Sequence, residues 1–307
     1  MDHSTDIDAL VTHKNSIVNG VRLHYVEAGP ADGELVVCLH GFPEFWYSWH
    51  HQIPALVDAG YRVVAPDMRG YNRSEKPHGT GAYRLEELTA DIESLIHELG
   101  AECAHLVAHD WGGVVAWTTA YSYPDVVETL TVLNAPHPIK YARELSLEQV
   151  ARSWYALYFQ LPWLPERLFA ARDFAAFDRL FREGPVVPDA FTDEDIERYK
   201  TAFRQPGALT SALTYYRAAF RNPPTRQFAG NIPLIGGRLA GPIPRVRAPT
   251  LVLWGEHDDA LSVSQIDGLE EYVEKARVVR FPNASHWVQF DQPKRVNEQL
   301  LAFLESQ

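Results

Sequence analysis

The sequence predicts an α/β fold: a mostly parallel sheet flanked by helices and interrupted by an inserted helical segment. Three observations carry that prediction. Short β-branched runs alternate with helical periods from Gly33 to His137, as when strands are joined by crossover helices. Strand character then vanishes over 139–228, a stretch that is aromatic, Arg-rich and helical in period. It returns at 250–254 and 277–281, ahead of a closing helix over 293–305.

Taken in order, 16–18 and 21–27 flank an Asn19-Gly20 turn and read as a β-hairpin. Continuous apolar runs at 35–40, 61–67, 103–109 and 129–134 read as strands of a sheet covered on both faces. Helical periods fill 48–59, 85–99 and 112–123. Pro162, Pro165, Pro185, Pro188, Pro206, Pro223 and Pro224 cut the later segment into short helices. The stretch 235–244, although glycine-containing, reads as a connection. The simplest organisation is a core from 1–138 and 231–307, with 139–230 inserted as a cap over the strand ends, where open α/β sheets bind ligands.

Bulk properties exclude several classes. The 307 residues, 46% hydrophobic and 22% charged, describe an ordinary globular chain. Twenty-eight basic against 40 acidic residues give a net charge of −12, which disfavours attraction to nucleic acid or anionic lipid. No apolar run approaches the ~20 residues of a membrane span, and the polar N-terminus has no signal pattern. Cys38 and Cys103 lie in apolar runs and read as free, buried thiols in a reduced setting. The expectation is a cytoplasmic monomer or homodimer without membrane insertion. There is no Cys/His spacing for zinc and no phosphate-cradling glycine loop, so neither metal nor cofactor is expected.

The chemistry centres on Ala108-His-Asp-Trp-Gly-Gly113, where a strand gives way to a helix. A tight turn there exposes one side chain at the head of the helix, and small flanking residues leave room for its backbone. Asp110 occupies the exposed position. A carboxylate displaces at an sp³ carbon to form an alkyl ester that water later cleaves, whereas a serine alkoxide would form an inert ether; epoxides or alkyl halides follow as substrates, not esters. Taken alone, Asp110 could equally be a helix N-cap. Asp258 and His286, each just past a later strand, complete a nucleophile, acid, histidine order. His286 would draw a proton from water while Asp258 orients it; Asp259 ranks behind Asp258.

These residues sit among further motifs. His40-Gly-Phe-Pro-Glu44, Trp46-Tyr-Ser-Trp49, Gln52-Ile-Pro-Ala-Leu56, Gly60-Tyr-Arg-Val63 and Asp67-Met-Arg-Gly-Tyr71, with the Asp110 motif, closely resemble the α/β-hydrolase-fold epoxide hydrolases, the soluble vertebrate enzymes and their microbial relatives among them. The resemblance runs from about Ile17 to the C-terminus. It implies the α/β-hydrolase fold with a helical cap, and the backbone N–H groups of Phe42 and Trp111 as an oxyanion hole. It also implies two cap tyrosines that hold the epoxide oxygen, which match Tyr155 in Ser153-Trp-Tyr-Ala-Leu-Tyr-Phe-Gln160 and Tyr216 in Thr214-Tyr-Tyr-Arg217. Read as residues alone, both tyrosines are packing aromatics. The chain departs from the family at Ala108, where glycine is common. His40 reads as a brace for its loop, and Glu44, His51 and His137 as structural.

The implied partner is a small, apolar epoxide, with Trp111, Trp154 and Phe159 as substrate-binding residues and Trp163 adding to an apolar pocket. The nearest alternative is a haloalkane or haloacid dehalogenase using the same three residues. Such enzymes typically show Asn after the oxyanion His-Gly or Arg after the nucleophile, where this chain has Phe42 and Trp111. From another class, the chain could be a non-catalytic ligand-binding homologue, for which a full set of nucleophile, base and acid is superfluous.

Overall fold

The structure is a computed structural model that describes residues 6–222 and 245–307, together with the backbone of 234–235 and 238–239. Strands β1 (Thr12–Val18) and β2 (Val21–Ala28) form an antiparallel hairpin. Its two turn residues, Asn19 and Gly20, take φ of 44° and 75°, the left-handed backbone that a two-residue hairpin requires and Asn-Gly tolerates. Strands β3 (Leu35–Leu39), β4 (Arg62–Pro66), β5 (Ala104–His109) and β6 (Val127–Leu133) follow. After the helical segment come β7 (Leu234–Ile235), β8 (Arg238–Leu239), β9 (Thr250–Gly255) and β10 (Ala276–Phe281). Eight strands make one sheet in the order β1-β2-β4-β3-β5-β6-β9-β10, antiparallel only at β1/β2 and β2/β4. Every side chain of β3, β5 and β9 is buried, which is why these strands read as unbroken apolar runs.

The order reverses direction at β3: the chain leaves it toward β4 on one side and later returns to β5 on the other. Right-handed crossovers then place the connecting helices on opposite faces and open a crevice at the carboxyl ends of β3 and β5. Helices α1 (Ile7–Leu10), α2 (Gln52–Asp58), α3 (Leu85–Glu98) and α4 (Asp110–Ser122) belong to this core, as do α11 (Val288–Asp291) and α12 (Pro293–Leu304). α2 packs on α12, and α3 on α4.

Several expectations shift at element ends. The helix expected over 48–59 is a 3₁₀ turn, Trp46–Trp49, followed by a shorter α2. Pro54 accounts for this, because its missing N–H and its ring confine it to a helix's first turn. α4 begins at Asp110, two residues before the expected start. The 235–244 stretch holds part of the minimal β7/β8 pair and is therefore more than a connection. Its remainder, Pro223, Pro224 and the expected boundary at 230 lie outside the described residues. Cys38 is buried as expected, but Cys103 is partly exposed just before β5, with its thiol against Glu128. It belongs to the loop, where polar neighbours replace the sheet interior.

Between β6 and β9 lie α5 (Pro138–Arg143), α6 (Leu147–Arg152), α7 (Trp154–Tyr158), α8 (Leu164–Glu183), α9 (Asp193–Arg204) and α10 (Ala208–Arg221). α8 is broken where Arg172, Asp173 and Phe174 take positive φ. α9 opens with a reciprocal cap between Thr192 and Asp195, satisfying two first-turn N–H groups. This helical segment is bonded to the core at buried points. Tyr47 donates to Asp195 (2.7 Å), the Tyr215 hydroxyl to the Arg69 carbonyl (2.7 Å), and Gln149 bonds both Ala260 and Ser262 (2.9 Å each).

Candidate active site

Asp110 stands at the crevice, at the junction of β5 and α4, with φ of 49°. A non-glycine residue in this region costs about 1–2 kcal/mol, and such strain concentrates at functional sites. The neighbours explain how the chain adopts it. A β-carbon on Gly112 would collide with the Leu39 carbonyl, and one on Gly41 with the Asp110 carboxylate itself. The Ala108 methyl is accommodated in the buried interior of β5.

The loop after β3 supplies the first contact. The Phe42 N–H donates to Asp110 Oδ1 at 2.7 Å. Trp111 is the second residue of α4, in the first turn, where N–H groups have no helical acceptor. His40 donates from Nδ1 to the Gly41 carbonyl (2.9 Å) and accepts the Met68 N–H at Nε2 (3.0 Å). That neutral tautomer, with its charged form disfavoured by burial, braces the loop.

On the other side of the carboxylate, His286 Nε2 lies 3.6 Å from Asp110 Oδ2, and His286 Nδ1–H donates to Asp258 Oδ2 at 2.7 Å. Asp258 is 2% exposed and accepts three further hydrogen bonds, from Asn134 Nδ2 and the Ala260 and Leu261 N–H groups, each 2.8 Å. Burial works against its charge, but His286 and these donors hold its carboxyl below the ordinary range. Burial likewise opposes a charged His286, yet Asp258, Asp110 and Glu44 outweigh it and push the imidazole up to about 9. Asp259 is exposed and takes no part.

Beneath the histidine lies a pairing that joins the two motifs and that neither shows by itself. Glu44 and His109 are fully buried. His109 Nδ1 faces Glu44 Oε2 at 2.9 Å and Nε2 faces the His286 carbonyl at 2.9 Å. Glu44 also accepts the Gly41 N–H (2.9 Å), so one carboxylate ties the loop after β3, through His109, to the loop that carries His286. Both ring nitrogens of His109 are thus engaged, one by the Glu44 carboxyl and the other by the His286 carbonyl. Burial raises the Glu44 carboxyl, but His109 and the Gly41 N–H more than reverse that. Asn134 also escapes the sequence reading; the only hint is an Asn at the end of a predicted strand.

The helical segment closes the site with aromatics. The Tyr155 and Tyr216 rings are 6.0 Å apart, and Tyr216 stands edge-on to Trp111 (5.0 Å), Phe159 (4.9 Å) and Phe42 (5.6 Å). Burial first, then the Asp110 charge, pushes both phenols upward, more than a hydrogen bond from the Trp111 side chain offsets at Tyr216. Both phenols therefore keep their protons within reach of the Asp110 charge. Tyr215 is spent on the Arg69 carbonyl. Arg217 clamps the two tyrosine-bearing segments, donating to the Phe159 and Leu161 carbonyls (2.9 Å each) and to Glu166 (2.6 Å).

The structure does not bring Trp154 to this site. Its ring is 65% exposed and rests near Tyr158, and Trp163 is 60% exposed beneath Arg167. α7 turns Tyr155 inward, which points its neighbour in sequence outward. Among the described residues, no group of His, Cys, Asp and Glu is arranged to hold a metal ion, and no helix is long and apolar enough to cross a membrane.

Comparison with known proteins agrees with this architecture. A family model described as the alpha/beta hydrolase fold matches residues 34–293. The AB hydrolase superfamily protein YfhM of Bacillus subtilis is 41% identical over 291 residues, covering 94% of this chain and 96% of that protein. Epoxide hydrolase 4 of Mus musculus is 38% identical over 300 residues, covering 94% and 78%. In structure, an epoxide hydrolase of Bacillus megaterium solved with an inhibitor superposes with a TM-score of 0.83 at 34% identity, covering 95% of this chain and all of that one.

Proposed function

The chain belongs to the epoxide hydrolase family of the alpha/beta hydrolase fold, and from that premise we propose that it converts a small epoxide and water into a vicinal diol through an ester on Asp110. The observation that carries the proposal is the asymmetry of the Asp110 carboxylate: Oδ1 is held by the Phe42 N–H while Oδ2 points toward His286. Oδ2 attacks a ring carbon, the carbon–oxygen bond of the epoxide breaks, and the departing oxygen takes a proton from Tyr155 or Tyr216. Oδ1 becomes the ester carbonyl, already at its N–H donor.

In the second half, His286 removes a proton from water and the hydroxide adds to the ester carbonyl carbon. The oxyanion forms on Oδ1, against the Phe42 and Trp111 N–H groups; removing one such donor typically costs about 3–4 kcal/mol. Collapse releases the diol and restores the carboxylate, and the proton taken up by His286 returns to the tyrosinate, which restores both groups. Electrostatics favour this sequence of events. The ionised Asp110 raises His286 in the free enzyme, and esterification removes that charge, so the imidazole becomes easier to deprotonate when a base is needed. The helices of 138–221 act as the cap that carries both phenols and excludes water.

A dehalogenase would need donors for a departing halide. The Trp111 side chain is instead engaged with Tyr216, which favours the epoxide. The test is a single turnover of styrene oxide in ¹⁸O-water with mass analysis of the diol. Unlabelled diol is expected, because its new oxygen comes from Asp110; labelled diol would sink the covalent route. Halide release from alkyl halides without diol formation would establish the dehalogenase instead, and no reaction with either the binding module.

A further inference from the structure

A second cavity, of about 530 Å³, opens against the β1/β2 hairpin and shares no lining residue with the Asp110 site. On a chain of net charge −12, it gathers Arg22, Arg73 and Lys76 around one space, with His13 beside them and Glu75 as its one carboxylate. None of the three cations is in an ion pair among the described residues. Arg22 donates to the Asn15 side chain (2.7 Å) and the Arg73 carbonyl (3.1 Å). Lys76 donates to the Asn72 and Ser74 carbonyls (2.5 and 2.8 Å). Glu75 is turned to the Arg22 backbone N–H (3.0 Å). Burial disfavours the Lys76 charge and Arg22 adds to that, with Asp67 opposing. Three cations thus share the space, with Glu75 turned to a backbone N–H and Asp67 behind the wall as the carboxylates beside them.

The inner wall is fixed by an imidazole chain. His24 Nδ1 bonds Asp67 Oδ2 (2.6 Å) and His24 Nε2 meets His13 Nδ1 (2.9 Å), which leaves only His13 Nε2 for a ligand. We propose that this cavity binds a phosphoryl group, as inorganic phosphate or the end of a phosphate monoester, between Arg73, Arg22, Lys76 and His13 Nε2. Three cations outnumber the carboxylates beside them, and the several oxygens of a phosphoryl group can accept from all of these donors at once, where a carboxylate offers only two.

The test is calorimetric titration of the full chain with inorganic phosphate and, separately, with glycerol 3-phosphate, in parallel with R73Q, K76Q and D110N variants. Saturable one-to-one binding is expected, weakened about tenfold by R73Q through loss of a charged donor, unchanged in D110N, with turnover of styrene oxide by R73Q as in the wild type. Tighter binding of the ester than of phosphate would assign an organic phosphate, and equal binding the free ion. Absence of saturable binding by either probe, wild-type affinity in both R73Q and K76Q, or loss of binding in D110N would each overturn the proposal.

Discussion

At the scale of single residues, each atom of the Asp110 carboxylate has one neighbour that decides its task, and His286 reports on it. On the proposed mechanism, replacing His286 by Gln removes the base but not the nucleophile, so incubation with an epoxide should leave the protein heavier by one substrate molecule in intact-mass spectrometry. A wild-type-like mass with no turnover would count against the two-step reading. The His286 imidazole is pushed up to about 9 by the carboxylates around it, and the proposed base is its neutral form, so ester breakdown should accelerate with rising pH. Its inflection should lie below that of the free enzyme, because the ester lacks the Asp110 charge. Comparing the pH profiles of single-turnover breakdown and kcat/KM checks this. Glu44 is the other decisive residue. Glu44→Ala leaves a buried His109 ring nitrogen and the Gly41 N–H without their partner, which typically costs about 1–3 kcal/mol, measurable by urea unfolding.

At the scale of elements, the turn into α4 and the clamp between α7 and α10 set the geometry. Gly112→Ala would drive a methyl into the Leu39 carbonyl; overpacking of this kind costs about 1–3 kcal/mol and should lower Tm together with activity. Arg217→Met leaves Glu166 and two carbonyls without their donor. The expected result is a loss of about 1–3 kcal/mol and a slower ester-forming step, seen as a reduced burst rate with ester breakdown unchanged. Equal slowing of both steps would mean that the clamp does not act through the tyrosines.

At the scale of the whole molecule, buried histidines set the acid limit. Burial lowers His40 and His50, pushes His51 down to about 4, and pushes His137 down to about 3. The unfolded chain binds these protons near 6.5 and the folded chain only below its depressed values, so stability present above pH 6.5 is lost as pH falls toward 4. His286 acts in the opposite sense: its pairing stabilises fully below 6.5 and the gain fades as pH rises through about 9. A tenfold change in proton affinity on folding corresponds to about 1.4 kcal/mol of stability, and several histidines outweigh one. Urea midpoints should therefore fall steeply from pH 7 to 4 and by a smaller but measurable amount from 7 to 9.

Short-range rules account for everything that could be read from the chain alone. The parallel strands were legible as apolar runs, the hairpin as Asn-Gly, and the exposed turn as small residues around Asp110. The order of Asp110, Asp258 and His286 was legible because each follows a strand. The packed fold settled the rest, since burial and pairing join residues far apart in the chain. It gave the Tyr215 hydroxyl the Arg69 carbonyl and set the neighbouring Tyr216 against Phe42 and Phe159. It turned Trp154 outward, and it set Glu44 beside His109 across a separation of 65 positions. A side chain's local pattern states which way the backbone runs; only the packed fold states what that side chain meets, and the electrostatics follow from that meeting.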